Sequence, residues 1–326
     1  MELAFVRLLK EPGAQDHELI DLAGVAIPTF EALNDDRALG RAWLLTAFVH
    51  GGRHLRCKAR EEAAERALFH YRRAGWPAAT CLGQLANALY QGPTVVTAAA
   101  LRCEALLANV AQGPADEANV LVFLGGLKAM HGRLDEGRAL VAKARAMFDE
   151  LGQLGLIGAL CGEVHGAIEC LAGEFRAAEH VLRESCELLE RANLRSTFAT
   201  RAGELAAAVY AQGRFTEAAD WVRAAEGAAS ADDLDARLAW QPVHAKLLAR
   251  RGEHERAQRL ARDAVSAVLA TDASSQRARV FLDLAAVLTL AGREGEAATW
   301  VEQARRTHEE KGNVAGAAQV SVAAVA

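Results

Sequence analysis

Three residues of one stripe have the types that hold metals. Cys161, His165 and Glu169 stand at i, i+4 and i+8, along one face of a helix. One stripe rarely completes a tetrahedral site, and eight residues of helix already span about 12 Å, so the residues read as a packed histidine and its neighbours. Glu163 precedes His165 by two residues and points to another face. No second carboxylate or nucleophile stands at useful spacing for general acid–base work. G-x-S-x-G, H-E-x-x-H and G-x-x-x-x-G-K-[ST] are all absent, which leaves no nucleophile elbow, zincin helix or phosphate-cradling loop. The expectation is no catalytic residue, no metal and no cofactor. An enzyme built on Glu163 or His165 from distant segments ranks third among the functional readings.

The elements that would position these residues are helices. The 326 residues are 52% hydrophobic but only 6% aromatic, so the apolar share is mostly Ala, Leu and Val, and six prolines leave room for long helices. A net charge of −5 offers no general attraction to nucleic acid or an anionic membrane. The opening MELAFVRLLKEPG carries Glu2 and breaks at Pro12, unlike a secretory leader. No window reaches the ~18 uncharged apolar residues of a membrane span. Six cysteines without a C-x-x-C pair read as reduced thiols of a cytoplasmic protein.

In AQGRFTEAADWVRAA (211–225) a glycine interrupts residues that otherwise favour helix. That glycine, Gly213, belongs to the series Gly13, Gly52, Gly92, Gly132, Gly173, Gly213, Gly252 and Gly292, each 39 to 41 residues from the next. That is a solenoid period. In the last five units small residues stand seven before the glycine (Gly125, Gly166, Ala206, Ala245, Ala285), five after it (Gly137, Ala178, Ala218, Ala257, Ala297) and twelve after it (Ala144, Ser185, Ala225, Ala264, Ala304). Glycine supplies a tight turn, small residues let two antiparallel helices approach, and stacked pairs share one core. The expected fold is an all-α solenoid of about eight helix pairs, one domain over residues 1–326, with a capping helix from about residue 313. Pro242 is expected to kink its helix if that helix starts near Asp235.

These residues resemble tetratricopeptide repeats, with a period near 40 instead of 34 and no proline closing the second helix. The stretches 231–265, 281–317 and 123–152, with ALYQGPT at 88–94, are similar to the tetratricopeptide-like C-terminal arrays of large bacterial signalling proteins. Those are the class III adenylate/guanylate cyclases joined to a signalling ATPase and the ATP-dependent transcription activators. The resemblance implies a right-handed superhelix whose first helices line a concave face. It also implies a sensor or interaction arm, since neither the ATPase loop nor a cyclase region is visible here.

Carried over by position, that face includes Glu163 and Tyr210, with Lys246, Arg250 and Arg279 clustered toward one end. Trp240 and His244 could line a pocket. The leading reading is a non-catalytic protein-interaction scaffold or regulatory arm that binds a protein or peptide, acidic where it meets the three cations. The alternative is a small-molecule effector sensor using Tyr210, Trp240 and His244. Self-association is expected where an end repeat exposes its apolar face.

Overall fold

Residues 16–109 and 112–323 are described by the computed structural model of the chain. Among them every regular element is a helix. The first five are α1 (Asp16–Ala32), α2 (Asp36–Phe48, prolonged by a π-turn at Val49–Arg53), α3 (Cys57–Arg73), α4 (Ala79–Gln91) and α5 (Val96–Asn109). Three pairs follow: α6 (Pro114–Met130) with α7 (Leu134–Glu150), α8 (Leu154–Ala172) with α9 (Phe175–Arg191), and α10 (Arg195–Ala211) with α11 (Phe215–Ala228). The array ends with α12 (Leu234–Arg250), α13 (His254–Leu269), α14 (Ser274–Leu290), α15 (Glu294–Lys311) and α16 (Val314–Ala323). Each helix packs antiparallel on the next, and the even-numbered ones also pack on each other, from α4 on α6 to α12 on α14. They form the inner layer of an all-α solenoid.

The small residues do what their spacing predicts. Ala178, Ala218, Ala257 and Ala297, and Ala144, Ser185, Ala225, Ala264 and Ala304, are all buried between paired helices. At Gly125 an added Cβ would come within 2.8 Å of the Gly137 carbonyl oxygen, so the α6 and α7 backbones touch there. Gly213 has φ +79°, the left-handed value that ends α10 and turns the chain into α11. Gly132, Gly173, Gly252 and Gly292 share that conformation. Gly52 and Gly92 do not: Gly52 lies in the π-turn after α2, and Gly92 has φ −78° and an extended ψ. Gly13 lies outside the described residues. Turns between pairs use the same left-handed device on other residues, Gly152, Asn193 and Gly312 among them.

Pro242 falls inside α12. It has no N–H for the Leu238 carbonyl, and Arg279 of α14 reaches that oxygen at 3.5 Å. The helix at 154–172 is long and apolar enough to cross a membrane by length and composition. It carries Glu163 and Glu169 and packs against α6, α7 and α9.

The solenoid closes on itself. Asp272, between α13 and α14, accepts from the backbone N–H groups of Cys57 and Lys58 at the start of α3, an acid at a helix N-terminus. Lys311, at the end of α15, donates to the carbonyls of Leu89, Gly92 and Thr94 at 2.9, 2.6 and 2.7 Å, a cation at the C-terminus of α4. Arg53 donates to Ser230, and Ser275 to the Tyr90 carbonyl. The trailing helix α16 then turns back onto α6 and α8, and Gln319 donates to the Cys170 carbonyl.

His308 holds α16 in place by packing. A Cβ at Gly316 would fall 2.6 Å from its ring, and burial pushes the His308 imidazole down to about 4. The unfolded chain takes up that proton near pH 6.5 and the folded chain only near 4, so the neutral ring's stability is complete above pH 6.5 and lost as pH falls. The urea midpoint of the wild type should therefore drop between pH 6.5 and 4 more steeply than that of His308→Phe. Parallel curves would remove His308 from the acid response.

Candidate ligand cavity

Closure turns the concave face into a cavity of about 690 Å³, within the usual size of ligand sites. Its wall comes from the inner helices α2, α4, α6, α8, α10 and α12, and its rim from the 51–57 segment and the first turn of α3. Of the positions thirteen and ten residues before the last five turn glycines, which the resemblance to tetratricopeptide arrays turns inward, Asn119, Leu160, Glu163 and Thr200 reach it, and Val122, Gly203, Ala239, Pro242, Arg279 and Leu282 do not. Positions nearer those glycines do not, and Cys170 meets α16 instead.

Polar side chains gather on one part of a largely apolar lining. Gln84, Asn87 and Gln91 descend one face of α4, joined by Asn119 of α6. Gln91 donates to Glu163 at 2.7 Å. Arg201 of α10, 3% exposed, lies between Glu204 at 2.5 Å and Glu163 at 3.4 Å. Arg60 of α3 donates from Nε to the Gln84 side-chain oxygen at 2.8 Å. Asn87 Oδ1 and Arg201 Nε are buried without a hydrogen-bond partner, although such atoms are nearly always satisfied. Cys57 also lines the cavity, but burial pushes its thiol up to about 12, so it is not a poised nucleophile.

Asp235, at the start of α12, takes Gln276 at 3.0 Å. Burial, and then the neighbouring Asp233, push its carboxyl up to about 7. The folded chain keeps this proton from about pH 4 to 7 while the unfolded chain releases it. Stability from this group is therefore greatest below pH 4 and declines as pH rises through 7. Asp235→Asn, which keeps the acceptor for Gln276, is expected to unfold at a higher temperature than wild type at pH 8, the two curves converging near pH 4. A constant offset across that range would mean that Asp235 is ionised throughout.

Of the seven residues singled out from the sequence, Glu163 lines the cavity and the others stand elsewhere. Lys246 is paired with Asp283. Arg250 lies over the Phe215 ring at 4.0 Å and donates to the Tyr210 hydroxyl. Arg279 holds the carbonyl freed by Pro242 and lies 3.7 Å from Glu204. Trp240 and His244 face each other at 6.3 Å, and burial lowers the His244 pKa. The three cations thus have partners within the chain. The Cys161, His165, Glu169 stripe is also spent: Arg138 grips Glu169 through two 2.8 Å bonds, and no group of three metal-binding side chains occurs among the described residues.

Arg60, Gln84, Asn87, Arg201 and Asp235 were not found from the sequence. A signal was there for the second and third: Gln84, Asn87 and Gln91 form an i, i+3, i+7 polar stripe on an otherwise apolar helix.

No family model and no curated sequence matches this chain. Solved structures do. It is similar to NprR in complex with its cognate peptide NprX, at 13% identity over 82% of this chain and 79% of that one, with a TM-score of 0.58. A Rap protein complexed with competence and sporulation factor aligns over 98% and 96% of the two chains at 11% identity and a TM-score of 0.53. Cut9 in the APC/C tetramer Cut9–Hcn1 gives 0.67 at 12% identity, covering 99% of this chain and 57% of that one. By fold, then, the chain is a tetratricopeptide-like array of helical repeats.

Proposed function

We propose that this chain is a non-catalytic regulatory scaffold that receives a peptide in its central cavity. The carrying observation is a cavity on the concave face beside which Asn87 Oδ1 and Arg201 Nε are buried with no hydrogen-bond partner. A peptide backbone offers a donor and an acceptor at every residue, which suits the side chains of Gln84, Asn87 and Asn119. The peptide-bound NprR and Rap structures share the fold, which supports the reading. The likeness of the 231–265 and 281–317 repeats to arrays of bacterial cyclase–ATPases and transcription activators supports a cytoplasmic role in signalling or transcription control. A small-molecule effector is the second reading, favoured by the volume of the cavity.

Thermal unfolding of the full chain with short-peptide pools and, separately, with a metabolite panel tests both. A ligand at a hundred times its Kd adds about 2.7 kcal/mol to the native state. A rise in Tm with peptides that is lost in Asn87→Leu is the expected result. A rise with metabolites alone would replace the first reading with the second, and none with either would remove the cavity as a receptor.

A further inference from the structure

The chain is acidic overall, yet its cavity is not. Four arginines, Arg41, Arg53, Arg60 and Arg201, line it against two acidic side chains, Glu163 and Asp235. Arg201 is answered by Glu163 and Glu204, and Arg53 is engaged by Ser230. Arg60 differs. It is 7% exposed, and no carboxylate lies within ion-pair distance of it among the described residues. Its side chain makes one hydrogen bond, through Nε to Gln84, so the terminal nitrogens of its fork are unused.

That fork is held in place. Gly51 lies beneath it, where an added Cβ would fall 2.2 Å from Arg60 Cδ and 2.7 Å from Cζ. Asp272 fixes the start of α3 three residues earlier. A buried guanidinium without an anion is costly, and its planar fork matches a carboxylate in bidentate geometry.

We propose that Arg60 is the cavity's receptor for a ligand carboxylate, supplied by the C-terminus or an acidic side chain of the bound peptide. This rests on the peptide reading above. It moves the anion-binding role from the partnered cations Lys246, Arg250 and Arg279 to a residue that lines the cavity.

The test is affinity selection by the full chain from random hexapeptide pools made as free acids and as C-terminal amides, each with and without Asp and Glu. Wild type should enrich free acids or acid-bearing amides over neutral amides. Dependence on the free terminus assigns the carboxylate to the C-terminus, and dependence on Asp or Glu assigns it to a side chain. The best peptide should bind Arg60→Met roughly ten- to a hundredfold more weakly, with Arg60→Lys between the two. Without peptide, Arg60→Met should unfold at the same temperature as wild type or higher, because a buried unpaired charge has been removed. Equal selection of neutral amides, or unchanged affinity in Arg60→Met, overturns the role of Arg60 and leaves the peptide reading standing. A lower Tm of ligand-free Arg60→Met makes the guanidinium structural and overturns it too. Selection of no peptide in any form overturns both.

Discussion

Lys311→Met is expected to open the ring. The ammonium satisfies three carbonyls at the end of α4 and its following turn, and methionine satisfies none. Burial pulls the Lys311 pKa down to about 8, so removing the charge returns part of its desolvation cost. The orphaned carbonyls outweigh that return at roughly 1–3 kcal/mol each if they stay dry. The seam opens instead once letting them reach water costs less than keeping it shut. The net loss should be about 2–4 kcal/mol. In a solenoid each repeat otherwise contacts only its neighbours, so the loss should be local. Amides of α16 and of the α4–α5 connection should exchange faster while α9 to α11 stay protected. Small-angle scattering should show a larger radius of gyration. Unchanged dimensions and exchange would mean that Asp272 and the packing of α16 hold the ring without Lys311.

Arg201→Met should cost about 3–5 kcal/mol, the usual penalty for removing one partner of a buried ion pair. Its guanidinium answers two carboxylates. Glu204 has its pKa raised by burial, and without Arg201 it keeps only the more distant Arg279, 3.7 Å away. Glu163 keeps only the Gln91 amide. The double variant Arg201→Met, Glu204→Gln should recover about half of the loss, because one of the stranded charges is gone. Urea unfolding of the wild type, both single variants and the double variant gives the coupling directly. A double variant no more stable than Arg201→Met would place the cost in lost side-chain packing. Recovery would show that Arg201 and its carboxylates form an electrostatic unit in the cavity wall, beside which Arg60 has no carboxylate at ion-pair distance among the described residues.

The residues that define the repeat were legible because their effect is local. A glycine with positive φ, a small residue five and twelve positions on, and another seven before are read within one hairpin, and Gly213, Ala218, Ala225 and Ala206 behave as that pattern requires. Turns were missed where other residues do the work. Asn193 adopts φ +54° between α9 and α10, an angle asparagine tolerates, and it breaks no helical pattern.

The sequence by itself determined the helix pairs and their spacing, while the inner helices and the inward place of Glu163 came from the resemblance to tetratricopeptide arrays. The tertiary structure decided how far the array turns and what meets where it closes. Curvature is the sum of small rotations per repeat, and no single residue announces it. Asp272 and Lys311 read as ordinary surface charges until the ring brings them to the ends of α3 and α4. Lys246, Arg250 and Arg279 read as a docking patch for a partner until Asp283, Phe215 and Glu204 are seen beside them. Arg60 stands on an outer-layer helix, whereas the resemblance to tetratricopeptide arrays turns only the first helix of each pair toward the concave face. It enters the cavity because α3 begins at the seam, a consequence of closure that spacing along the chain does not encode.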